Sequence, residues 1–312
     1  MPVTKSLIIS PKTVKDIDDR VDRVLKGLGY PEPPLRLEDV RELLKLDLKF
    51  YTADNPSYLQ EVTSRIFVGA KQVLQRPALL MDAISKLSLQ ALYLPDRKRI
   101  LLDNNVPKLK HRWNEAHEIG HSLLPWHQEM MHGDDESTLS QHCHEHIELE
   151  ANFAAARLLF LRDRFTEEAR AMAERFTSIK NLQATFGNTL STTLYRFVES
   201  IGAEKPVLGV ISGHPHISKR TSKFDAANPC RHFIQSPAFA QKFSNVSELE
   251  VFKSISAYCG SQSGGILGED EVVLDDDSGQ KHIFRFETFY NRYDSLTLGI
   301  YLAPAKISIF LN

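Results

Sequence analysis

The stretch HRWNEAHEIGHSLLPWH, His111 to His127, holds two histidines four residues apart with a glutamate beside the first. On a helix, residues four apart lie one turn apart on the same face. The imidazoles of His117 and His121 can therefore share one metal ion. Glu118 then sits where it can take a proton from a water on that metal, the arrangement of an HExxH zinc site. The same helix needs a buried back, and Trp113, Ala116, Gly120, Leu123 and Leu124 supply an apolar stripe. Asn105 fits an N-cap, Pro107 the first turn, and Pro125 a stop. Gly120 costs about 1 kcal/mol relative to alanine inside a helix. Its place on the packed stripe predicts close approach by a neighbouring strand or helix.

A catalytic zinc takes three protein ligands and keeps one open position. The next predicted helix, from about His144 to Phe165, offers HCHEHIELEANFAAARLLF. Glu145, Glu148 and Glu150 compete for the third place. Glu148 shares a line with Asn152, Ala155 and Leu159, a face running into apolar packing. Glu150 lies with His146, Arg157 and Leu161 on a more solvated face, and a surface pair with Arg157 is expected. Glu148 is thus the third ligand expected, a gluzincin-like set. Asn152, one turn on, can accept a hydrogen bond from a ligand histidine and fix its tautomer. His127, His132, His142, His144 and His146 read as a histidine-rich polar region, with a second metal site as the competing reading. Nothing in the spacing of Cys143 requires it as a ligand.

The motifs RWNEAHEIGHSLLPWH and ELEANFAAARLL resemble those of the ImmA/IrrE zinc metallopeptidases, the M78 peptidases. The matching residues are Arg112 to His121 and Glu148 to Ala155, with Ala154 after Phe153 where the family pattern differs. The resemblance covers the hairpin at 91–103 through Leu159. It implies zinc bound by His117, His121 and Glu148, with Glu118 as catalytic base. It further implies a compact thermolysin-like α+β zincin core. The implied substrate is a helix-turn-helix transcriptional repressor, whose cleavage switches on mobile-element or stress-response genes. It also implies that a GAF-like sensor domain can follow the core.

The 312 residues are 42% hydrophobic and 25% charged, as in ordinary globular domains, and leave room for two domains. With 38 basic and 40 acidic residues, the net charge of −2 argues against nucleic acid as the main partner. Cys143, Cys230 and Cys259 are scattered and lack CxxC spacing, which fits a reducing compartment. The opening MPVTKSLIIS has too short an apolar run for a signal peptide, and no run reaches membrane-span length. A cytoplasmic protein without a membrane partner is expected.

Helices are predicted over Thr13–Leu28, Leu37–Leu44 and Ala70–Leu87, and a strand over Leu46–Thr52. LQALYLP and KRILLD read as a hairpin, and MMHGDDESTLSQ as a polar loop. Helix continues to about Glu199. Within it, Ile179–Glu199 resembles a helix-turn-helix, but Arg196 is the only base on its second helix, so packing or partner docking is the expected role. Beyond Pro206 come a strand at PVLGVIS, helix over Ser236–Tyr258, a turn at GSQSGG, and β-rich runs in the last forty residues. The fold class expected is α+β. It comprises a metallopeptidase domain with N-terminal helices (1–165), a helical segment (166–204) and a C-terminal α+β domain (205–312) whose role no motif establishes, scaffold and a sensor or regulatory module being the alternatives. The competing function is a metal-containing regulatory module that binds a partner protein or DNA without proteolysis. Substrate identity and oligomeric state are not encoded in any motif.

Overall fold

The computed structural model describes residues 9–51, 91–94, 97–106, 108–127, 141–222 and 224–305, with the backbone alone at 51, 92, 108, 109 and 141–144. The expected helix over Ala70–Leu87 and the loop around His132 lie outside the described residues, as do the side chains of His142, Cys143 and His144. The chain divides into two compact units, Met1–Asp163 and Arg164–Asn312. The α+β class expected from the sequence is observed.

In the first unit, α1 (Pro11–Gly27) is capped by the Ser10 hydroxyl, which accepts from the Thr13 backbone N–H. Its stripe Ile17, Val21, Val24 and Leu25 is buried, and Gly29 leaves the helix at φ +72°, a conformation glycine adopts without steric cost. Next come α2 (Leu37–Leu44), β1 (Asp47–Tyr51), and the hairpin strands β2 (Ala91–Leu94) and β3 (Arg99–Asp103). β3 is central, pairing parallel with β1 and antiparallel with β2. α3 (Lys108–Leu123) packs on β2 and β3, and α4 (Gln141–Leu159) packs on α3 and α1.

Two half-buried polar ties fix α3. Arg41 on α2 donates to Glu115 at 2.7 Å, and Arg112 donates to the Leu35 carbonyl at 2.9 Å. A third tie fixes α4: Arg157, largely buried, donates to Asp18 of α1 at 2.5 Å and to Asp163 at 3.0 Å. The expected surface pair of Arg157 with Glu150 is therefore corrected. Arg157 faces α1, because its position on the helix falls on the packed side with Leu158 and Ala154 close by.

The expected long helix to Phe165 is also corrected. α4 ends at Leu159, and Leu161 and Arg162 adopt left-handed backbone (φ +51° and +56°) before α5 (Arg164–Ala171) begins. Leu161 is buried in that turn, and tertiary packing holds a conformation that neither side chain favours by itself.

In the second unit, α5 is followed by α6 (Phe176–Phe186) and α7 (Leu190–Ile201), joined through Gly187 in left-handed backbone and the Thr189 N-cap. The sheet runs β5–β4–β8–β7–β6, antiparallel throughout, with β4 at Val207–Ser212, β5 at Cys230–Gln235, β6 at Gly265–Asp275, β7 at Lys281–Tyr290 and β8 at Ser295–Pro304. Strand alternation gives each face its own cover. Leu208, Val210, Phe284 and Phe286 join Phe239 and Phe243 around α8 (Pro237–Lys242) and Val251 and Ile255 of α9 (Glu248–Tyr258). α7 packs on β4, where the Gly209 α-carbon lies beneath Val198.

Gly120 marks the tightest point between α3 and α4. A Cβ there would lie 2.7 Å from the Ala151 carbonyl oxygen, a backbone atom. Close approach by a helix is what the sequence position suggested. Gly120→Ala is expected to lower stability by about 1–3 kcal/mol through overpacking, despite the gain of about 1 kcal/mol in helix propensity. Denaturant midpoints of the two proteins measure it, and an unchanged or raised midpoint for the variant would contradict the contact.

Candidate metal centre

His117 and His121 project from successive turns of α3 toward α4, where Glu148 meets them. The His117 and His121 Nε2 atoms are 3.1 Å apart. Glu148 Oε2 lies 3.1 Å from His117 Nε2, and Oε1 lies 3.5 Å from His121 Nε2. Among the described residues these three form the one cluster able to hold a metal ion.

The outer hydrogen bonds decide what these atoms present. Asn152 Oδ1 lies 3.0 Å from His117 Nδ1. An amide oxygen only accepts, so Nδ1 carries the proton and a neutral His117 turns a lone pair inward at Nε2. Two lone pairs and a carboxylate facing one another at these distances repel unless a proton or a cation lies among them. Ligand bonds of about 2.0–2.1 Å in tetrahedral geometry give ligand-to-ligand edges of about 3.3 Å, within the observed spacings of 3.1–3.5 Å. The donor set thus fits a metal ion with two imidazole ligands and one carboxylate, and solvent reaches it on the Glu148 side, whose side chain is 45% exposed.

The charges respond to the same proximity. Burial resists ionisation of Glu148, but its hydrogen bonds to His117 and His121 outweigh that and hold its carboxyl well below the ordinary range. Burial disfavours the charged form of His117, yet the bond to Glu148 and the nearby Glu118 and Glu148 carboxylates leave its pKa raised. At His121, burial and the adjacent His117 and His127 rings prevail, and its pKa is lowered.

Glu118 sits at 6% exposure beside the cluster, with the Tyr93 backbone N–H of β2 donating to its carboxylate. Burial, reinforced by Glu148, pushes its pKa up to about 7. A carboxyl poised near neutrality suits a general base.

The structure brings together every residue singled out from the sequence: His117, Glu118, His121, Glu148 and Asn152. It also draws in Trp126, together with His127, expected in a polar histidine-rich region, and Glu150, expected at the surface. His127, fully buried, lies with Nδ1 3.0 Å from His121 Nδ1 and Nε2 2.9 Å from Glu150 Oε2. Trp126 Nε1 donates to the same Glu150 oxygen at 2.7 Å. Burial resists ionisation of Glu150 and these bonds overcome it, lowering its pKa. Glu150 is therefore an internal acceptor, not the surface residue expected. The helix breaks at Leu124, and helical residues 125–127 bring Trp126 and His127 against α4, a tertiary contact that helix periodicity does not encode.

Residues 80–198 match the family model described as Peptidase M78, IrrE N-terminal-like domain. The match spans both motifs and supports the family that they resemble. A solved structure titled Mycobacterium tuberculosis transcriptional regulator has a similar fold, with a TM-score of 0.52 and 14% identity over 92% of this chain and 76% of that one. No curated protein matches the sequence. No helix among the described residues is long and apolar enough to cross a membrane.

Glu118 gives the metal-free chain a pH signature. Its carboxyl pKa moves from 4.5 to about 7 on folding. Below the lower value both states are protonated. Above it the unfolded chain ionises first, so this group's contribution to stability falls as pH rises toward 7, by up to about 3 kcal/mol. Metal-free Glu118→Gln is therefore expected to be more stable than wild type near pH 8 by about 2–3 kcal/mol, with the gain gone by about pH 4. Paired denaturation curves across that range test it, and a pH-independent difference would contradict it.

Proposed function

We propose that the protein is a zinc-dependent endopeptidase acting on a specific protein, with His117, His121 and Glu148 as metal ligands and Glu118 as catalytic base. The observation that carries this reading is the His-His-Glu donor set with the buried Glu118 carboxyl beside it, within a segment that matches the M78 family model. Zinc, when bound, supplies Lewis acidity for the scissile carbonyl and lowers the pKa of a water toward neutrality. Glu118 accepts the proton of the attacking water and returns it to the leaving nitrogen. Asn152 holds His117 with Nε2 turned inward.

A helix-turn-helix transcriptional repressor is the proposed substrate, supported by the family resemblance. Its cleavage would place the protein in the switching of mobile-element or stress-response genes in the cytoplasm. The free thiols of Cys230 and Cys259 accord with a reducing compartment. The proposed organisation is a peptidase domain over 1–165, a helical segment over 166–204, and a C-terminal α+β domain over 205–312 with a sensor or regulatory role. The central antiparallel sheet covered by helices supports a GAF-like sensor there. The reading as a DNA-binding module is weakened by α7, where Leu194, Phe197 and Val198 are buried and Arg196 is paired with Glu199 at 3.3 Å.

Incubation with the repressor encoded by a neighbouring gene tests the proposal. Wild type with zinc is expected to make a discrete, chelator-sensitive cut. Glu118→Gln should retain one zinc and lose about 100-fold or more in cleavage rate. Glu148→Ala should weaken zinc binding by more than about 100-fold. Cleavage by Glu118→Gln at the wild-type rate would overturn the assignment.

A further inference from the structure

His127 has a place at the centre that the peptidase chemistry above does not use. It is fully buried, and both ring nitrogens are engaged, Nδ1 with His121 and Nε2 with Glu150. Its neighbours are held as firmly. Glu150 takes a second bond from Trp126, and the Arg20 guanidinium lies 5.2 Å from the Trp126 ring centroid while donating to the Leu123 carbonyl at 3.3 Å. Such density of bonding around a fully buried ring argues for a positioning task.

Proton placement defines the task. A carboxylate only accepts, so His127 Nε2 carries a proton toward Glu150. The contact between His127 Nδ1 and His121 Nδ1 needs one further proton, on one ring or the other. On His127, that proton makes a buried cation and turns the His121 proton onto Nε2, where it blocks the metal. On His121, it leaves His127 neutral and His121 Nε2 bare. Only the second placement matches the lone pair that Asn152 imposes on His117.

We propose that Glu150 and His127 form a hydrogen-bonded relay that fixes His121 as the Nδ1-protonated tautomer, so that its Nε2 faces the metal. The proposal rests on the metal-site reading of His117, His121 and Glu148. The two ligand histidines are then set by different devices: an amide oxygen one turn along α4 for His117, and a carboxylate–imidazole pair for His121. His127 and Glu150 are positioning residues, acting on the metal through His121.

Two variants separate positioning from packing. His127→Asn places an amide oxygen near the site of Nδ1 and preserves the acceptor for His121. His127→Leu fills similar space without an acceptor. Zinc affinity, measured by competition with a chromogenic chelator, should fall 10- to 100-fold in His127→Leu and stay within about 3-fold of wild type in His127→Asn. Thermal melts of the metal-free proteins establish folding independently. Equal losses in both variants, or none in His127→Leu, would overturn the relay. Imidazole 15N shifts of the zinc-loaded wild type provide a readout that holds even if His127→Leu fails to fold. His127 should be protonated at Nε2 and bare at Nδ1, with His121 protonated at Nδ1. His127 protonated at both nitrogens would overturn the relay. A wild-type chain that takes up no zinc would instead overturn the metal reading beneath it.

Discussion

The centre depends on how closely α3 and α4 approach. At Gly120 the two backbones come so near that no side-chain carbon fits beneath the Ala151 carbonyl. Gly120 precedes His121 by one residue, and Ala151 follows Glu148 by three. The contact that demands glycine therefore also sets the reach between imidazole and carboxylate. A helix pair one side chain further apart would hold the same motif with the Glu148 carboxylate out of range of the imidazoles. The glycine within HExxH is thus a geometric requirement, and Arg41–Glu115, Arg112–Leu35 and Arg157–Asp18 hold the helices at that spacing from outside.

Close approach also concentrates charge. His117, His121 and Glu148 face one another with more lone pairs than protons, while Glu118 is buried alongside with its ionisation suppressed. The suppressed ionisation of Glu118 works against a stable apo protein, and the clustered lone pairs favour a bound cation. A metal ion would relieve the repulsion among the ligands and displace the proton that the site otherwise holds. Strain on the metal-free fold and readiness for metal are two aspects of the same arrangement.

Much of this was legible in the sequence because it is local. The four-residue spacing of His117 and His121, the in-line placement of Glu148 and Asn152, and the apolar back of α3 all follow from helix periodicity. The apolar runs of β4, β7 and β8 were equally plain. What escaped the sequence was set by tertiary contact. β5, CRHFIQ, has a mostly polar, exposed pattern and pairs because it lies beside β4. The break at Leu161–Arg162 lacks the glycine or proline that would announce it. Glu150 looked solvated on a helical wheel, but the segment carrying Trp126 and His127 covers that face. A wheel shows which residues share a side and not what is laid against it.

The central claim is that His117, His121 and Glu148 surround one metal ion. Zinc-edge X-ray absorption of the wild-type chain loaded with one equivalent of zinc tests it most directly. The account predicts a four-coordinate zinc with two imidazoles, oxygen donors at about 2.0–2.2 Å and no sulfur scatterer. A sulfur shell near 2.3 Å, or a zinc without imidazole scattering, would contradict it.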